Sequence, residues 1–164
     1  MVLQAVGLLS PGEMVQDAEL IISILIPAEA PKAADTVARV LEKTGEQIVY
    51  VDCNAVASAI AKKIDQTLTA ASSWFVDAGI ISPPPRREGV TRFYTSGPDT
   101  SAFEALSEYG LDVRQVGSEI GQASGFKMSY SALTKGTAAL SMELLVAAKR
   151  MGLYDALVEE FQMS

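Results

Sequence analysis

Ser118–Met151, SEIGQASGFKMSYSALTKGTAALSMELLVAAKRM, is the stretch around which the rest of the chain reads. Leu133, Thr137, Leu140, Leu144, Ala147 and Met151 recur at alternating steps of four and three, the spacing of one buried helical seam. One long helix is therefore expected here, with a small-residue entry and an apolar second half. Lys127, Ser131 and Thr134 stand at i, i+4 and i+7, so their polar heads share one face near the helix start. That face is either solvated surface or the wall of a site, and the chain in front of it has to decide which.

Composition narrows the chemistry. The 164 residues suffice for one domain with a real core, or for one domain with a helical extension. The longest apolar run, Leu20 to Ile26, is too short to span a bilayer, and the start lacks a basic leader and a small-residue cleavage site. The protein is read as cytoplasmic. There is no histidine, which excludes a histidine general base, a Ser-His-Asp triad and ordinary histidine metal sites. The single cysteine, Cys53, excludes an internal disulfide and a cysteine zinc site, so no metal is expected. Lying at the end of an apolar run between Asp52 and Asn54, Cys53 suits packing better than nucleophilic attack. A net charge of −7 argues against nucleic acid or an anionic membrane as partner. Proton transfer falls to Lys, Tyr, Asp, Glu or water.

Ahead of the long helix, apolar runs of two periods alternate. Gln4 to Leu9 reads as a strand closing in the turn Ser10-Pro11-Gly12, with no helix after it; Val15 to Glu19 leads straight to a second strand, Leu20–Ile26. A helix over Ala30–Lys43 stops at Gly45 and is followed by strand Ile48–Val51. Asn54 is placed to cap a helix over Ala55–Ala71. Strand Trp74–Ile81 leaves the sheet at Pro83-Pro84-Pro85. Thr91–Thr95 is a strand, Ser101-x-x-Glu104 a capping box, and Asp112–Val116 the last strand. This order predicts an α/β fold, a Rossmann-like, mostly parallel sheet with helices on both faces. The expected division is a Rossmann-like domain over 1–117 and a short all-α domain over 118–164. Ligands of such sheets sit beyond the carboxyl ends of the strands. Those ends are Ser10-Pro11-Gly12, Pro27-Ala28-Glu29, Asp52-Cys53-Asn54 and Asp77-Ala78-Gly79.

Four segments, in this order, carry a resemblance: Val6-Gly-Leu-Leu-Ser-Pro-Gly-Glu-Met14, the strand closing in Pro27, Phe75-Val-Asp-Ala-Gly-Ile-Ile-Ser-Pro83, and Gly121-Gln-Ala-Ser-Gly-Phe-Lys127. Together they resemble the β-hydroxyacid dehydrogenases, in particular the phosphogluconate dehydrogenase-like branch, over nearly the whole chain. The resemblance implies a nicotinamide cofactor, NADP or NAD. Gly7, Leu8, Leu9, Ser10, Pro11, Gly12, Glu13 and Met14 would form its loop, completed by Pro27 and Asn54. It makes Lys127 the catalytic lysine that exchanges the hydroxyl proton while hydride moves to or from the carbinol carbon. It assigns Asp77, Ala78, Gly79, Ser82 and Ser131 to a small hydroxy-acid or sugar-acid substrate. Arg86, Arg87 or Arg92 could hold an anionic group of that substrate, or could simply lie in a solvated loop.

Three features depart from the family pattern. Ile81-Ser82-Pro83 stands where the family has Ser-Gly-Gly, and Ser131 where it has asparagine. After Met14 the chain passes directly to the later strand. It lacks the helix that faces the pyrophosphate and the next strand with its ribose-binding acid, so the first half is incomplete. Three readings follow: an NAD(P)-dependent oxidoreductase, a shortened homologue that has lost cofactor binding and acts by association, or an α/β protein with an unrelated small ligand. The apolar residues Met142, Leu145 and Val146, outside the seam, predict a homodimer through the 118–151 helix.

Overall fold

The computed structural model describes residues 10–16, 18–82 and 91–163. The expected strand at Gln4–Leu9, the loop residues Gly7, Leu8 and Leu9, the proline run and Arg86 and Arg87 lie outside these. The chain divides into two compact units, 1–128 and 129–164, so the division falls within the helical stretch rather than ahead of Ser118.

The first unit is an α/β layer structure around a five-stranded sheet of order β1-β2-β3-β4-β5. The strands are β1 (Leu20–Ser23), β2 (Val49–Asp52), β3 (Trp74–Ile81), β4 (Arg92–Ser96) and β5 (Asp112–Gly117). All neighbouring pairs are parallel except β3 with β4. The expected mostly parallel, Rossmann-like sheet is what forms. Side chains alternate across it. Ile48, Tyr50 and Phe75 point to one face and pack with α2 (Ala30–Thr44) and α3 (Ser58–Ala70). On the opposite face Val51, Val76 and Ala78 pack with Phe103 of α4 (Ser101–Glu104). Helix α2 ends as its sequence demands: Gly45 takes a left-handed conformation, φ 74°, and donates its amide to the Leu41 carbonyl.

Several local expectations are corrected. A short helix, α1 (Pro11–Gln16), does form at the turn and includes Gly12, and its Val15 is buried in the core. Proline at its first position and a Ser10-x-x-Glu13 capping box start it: Ser10 donates N–H and Oγ–H to Glu13 Oε2 at 2.8 and 2.7 Å. Strand β1 stops at Ser23, leaving Ile24, Leu25 and Ile26 exposed. Asn54 caps nothing, since α3 begins at Ser58. Near Ser101 the reciprocal pattern is replaced by Asp99 accepting from Ser101 and by Thr100 Oγ1 donating to Glu104.

The long helical stretch begins later than expected. After a turn at 118–121 come α5 (Gln122–Ser131), a π-helical segment (Ala132–Gly136) and α6 (Thr137–Arg150). In the second unit α6 packs with α7 (Tyr154–Met163), the short second helix for which the chain has room. Leu133, Leu140, Leu144 and Met151, the expected buried seam, are all exposed here, Leu133 by 71% and Leu140 by 62%. No described helix is long and apolar enough to cross a membrane.

Candidate functional site

Strand register lines up Ser23, Asp52, Asp77, Ser96 and Gly117 in one row across all five strands. The first four side chains are polar and buried. A row of this kind inside a sheet face holds only if its members satisfy one another or bind the helices above.

At the β1–β2 end of the row, Asn54 does the tying. Its Nδ2 donates to Ser23 Oγ at 2.9 Å and to Asp52 Oδ1, and its Oδ1 accepts the Leu25 amide at 2.5 Å. The loops leaving β1 and β2 are thereby fastened side by side, which fixes the chain leading to Pro27. Pro27 opens an exposed 3₁₀ turn, Pro27–Glu29. Asp52 is almost wholly buried, and its Oδ2 has no hydrogen-bond partner among the described residues. Burial raises its pKa above the ordinary 3.8, against hydrogen bonds from Asn54 that lower it; Asp77 raises it further, and the positive charge of Lys127 acts the other way. Cys53 is buried, and loss of solvent, with the nearby Asp52 charge, pushes its thiol up to about 12. A thiol in that state packs and does not attack.

The raised pKa of Asp52 has a thermodynamic consequence. Between the ordinary carboxylate value and the raised one, the folded chain keeps a proton that the unfolded chain has released. Stability therefore falls as pH rises through that window and stays lower above it. Asp52→Asn is expected to flatten this part of the curve, read as the melting temperature followed from about pH 4 to pH 8. An unchanged pH dependence would show that Asp52 does not carry it.

At the β3 end of the row stand Asp77 and, beside it, Ala78. Both are fully buried, and they point to opposite faces. Ala78 packs with Val51 and Phe103, while the Asp77 carboxylate is used by donors of the protein itself. Gly79, on the same face as Asp77, makes room for α5: a Cβ there would lie 3.1 Å from Lys127 Cβ and 3.3 Å from Lys127 Cδ. The lysine side chain thus runs along the carboxyl half of β3, half-buried, and its charge reaches Asp52 and Cys53. Ser82 lies at the end of β3, half-buried, and Ser131 belongs to the second unit.

At α1, Ser10, Pro11, Gly12, Glu13 and Met14 form a capped helix start, and the Ser10 amide is already taken by the Glu13 carboxylate. Hydrogen bonds from the Ser10 hydroxyl and, next, its amide hold the Glu13 pKa below its usual value. The α1 start offers an anion of its own where a pyrophosphate needs free donors. Ser23 and Ser96 were missed by sequence reasoning, while Asp52 was read only as part of a strand end and Ser124 only as part of the Gly121–Lys127 segment. The signal available was a polar residue closing or interrupting an apolar run, as in Ile48-Val-Tyr-Val-Asp52 and Phe75-Val-Asp77.

No protein-family model matches the chain. An uncharacterised 28.5 kDa protein encoded in the 7S RNA 5′ region of Methanothermus fervidus is 30% identical over 149 residues, 90% of this chain and 55% of that protein. A solved conserved protein of unknown function, described as structurally similar to 3-hydroxyacid dehydrogenases, superposes with a TM-score of 0.80 and 31% identity, covering 98% of this chain and 59% of that one. An imine reductase from Myxococcus stipitatus in complex with NADP+ gives a TM-score of 0.69 at 18% identity, over 93% of this chain and 54% of that one. The chain spans about half the length of the relatives it matches.

The class so defined is a Rossmann-like fold of 3-hydroxyacid dehydrogenase-like and imine reductase NAD(P)-binding proteins. The resemblance to the β-hydroxyacid dehydrogenase family read from the sequence holds in the structure.

Proposed function

We propose that the chain is the Rossmann-type part of an NAD(P)-dependent oxidoreductase acting on a small hydroxy acid or sugar acid, in a cytoplasmic homodimer. The observation that carries this reading is Lys127, laid along Gly79 at the carboxyl half of β3, where open α/β sheets bind ligands. When bound, a nicotinamide supplies or accepts the hydride. Lys127 exchanges the proton of the substrate hydroxyl and stabilises charge on that oxygen. Asn54 holds the β1 and β2 loops in one arrangement, which fixes the chain leading to the Pro27 turn. The amine stands half-buried, and its charge acts on the buried Asp52.

The second reading, association without a dinucleotide, is favoured by one observation: the Glu13 carboxylate occupies the start of the six-residue α1. Titration calorimetry with NADPH and NADH separates the two. Trp74 is a poor reporter, since it starts β3 at the end away from Gly79 and is exposed. Saturable binding with Kd weaker than about 1 μM is expected for the oxidoreductase, because the pyrophosphate gains fewer backbone donors than a full glycine loop provides. Absence of heat up to millimolar cofactor would hand the chain to the second reading.

A further inference from the structure

Asp77 interrupts an apolar strand, is wholly buried, and accepts four hydrogen bonds. Three come from the start of α5: Gly121 N and Ser124 N reach Oδ2 at 3.0 Å each, and Ser124 Oγ reaches Oδ1 at 2.5 Å. The fourth is Ser96 Oγ, from the paired position on β4, at 3.0 Å. Ser96 Oγ in turn accepts the Ala123 amide at 2.9 Å. Amides that a helix start leaves without partners are thus met by a carboxylate and a hydroxyl from the sheet, and a negative charge stands where the helix dipole favours it. The turn before them is held as well. Gly121 has φ 96°, and its carbonyl accepts Ser58 Oγ from the first residue of α3 at 2.7 Å.

The geometry continues to Lys127. From Asp77 to Gly79 the strand advances about 7 Å on one face. From Ser124 or Ala123 to Lys127 the helix advances about 5–6 Å on one face. Sheet and helix therefore stay in step: the residue one turn beyond the Asp77 contact stands over Gly79, where the missing Cβ lets the lysine stem lie against the strand.

We infer that Asp77 is a positioning residue for Lys127, setting the height and direction of the amine by fastening the start of α5 to β3 and β4. The inference deepens the reading of Lys127 as the proton-exchanging group and rests on it for its functional meaning. It replaces substrate contact as the role of Asp77.

The test follows the lysine itself. The full chain, as wild type, Asp77→Asn and Ser124→Ala, is treated with an amine-acylating ester across a pH series, and modification of each lysine is read by peptide mass spectrometry. Far-UV circular dichroism and a cooperative melt confirm folding. In folded Asp77→Asn the acylation rate of Lys127 is expected to change by at least about threefold, with its pH profile moved to lower pH as a nearby negative charge is lost. Lys32 and Lys43 on α2 should not move. Ser124→Ala, which removes one of the four donors but no charge, should change the Lys127 acylation rate by less; it carries the test alone if Asp77→Asn does not fold. An unchanged Lys127 rate and profile in a folded variant would overturn the inference. Turnover by Lys127→Ala is a separate measurement: full activity there sinks the proton role while leaving an observed Asp77 effect standing.

Discussion

Replacing Lys127 by alanine is expected to lower kcat by about 10²-fold or more in a preparation that turns over a hydroxy acid, with the Kd for NAD(P)H nearly unchanged. The magnitude follows from the chemistry. Oxidising a carbinol requires loss of a hydroxyl proton as the hydride departs, and the chain has no histidine to take it. Among the described groups around Gly79, Cys53 is buried with its thiol pushed up to about 12, and Asp77 is fully engaged by donors. Lys127, half-buried against Gly79, is the group proposed to exchange that proton. Cofactor affinity should hold because the amine acts on the substrate hydroxyl and not on the dinucleotide. Steady-state kinetics and calorimetry on the same preparation separate the two effects. A variant with unchanged kcat would mean that the lysine is only part of the packing between α5 and β3.

A charged residue at Leu140 or Leu144 is expected to turn a homodimer into monomer or aggregate. Both leucines stand on α6 among exposed apolar neighbours, and Leu144 also lines an apolar groove of about 310 Å³ with Leu145, Leu157 and Phe161. Phe161 is 83% exposed. Soluble proteins rarely leave such patches wet. Burying one leucine contributes about 1.5–3 kcal/mol, so four or five offset the cost of association. A glutamate placed there costs several kcal/mol when desolvated, enough to weaken pairing by more than about 10³-fold. Light scattering should give twice the chain mass of 17.4 kDa for wild type and that mass, or aggregate, for Leu140→Glu. A well-behaved wild-type monomer would overturn the dimer.

Sequence alone determined the class of the fold. The alternation of two- and four-residue periods placed β1 to β5 and helices α2 and α3 within a few residues, because these elements bury one face and their apolar spacing records it. Gly45 marked the end of α2 correctly, since a left-handed residue there needs no partner beyond the chain itself. The antiparallel β4 was also within reach: the ten residues between Ile81 and Arg92 are too few for a parallel crossover. The ordered segments from Gly7 to Lys127 carried the family resemblance.

What only the tertiary structure decided is who partners whom. Asn54 sits where a cap would, yet it bonds Ser23 and Leu25, about thirty residues away. Asp77 matched a substrate motif, yet its carboxylate serves Gly121 and Ser124, more than forty residues on. The α6 stripe looked like an internal seam, yet no described element covers Leu133 or Leu140. Periodicity reports that a side chain is buried or polar, since that depends on its own helix or strand. The identity of the group that satisfies it depends on strand register and on the docking of α5, and neither is recorded locally in the chain.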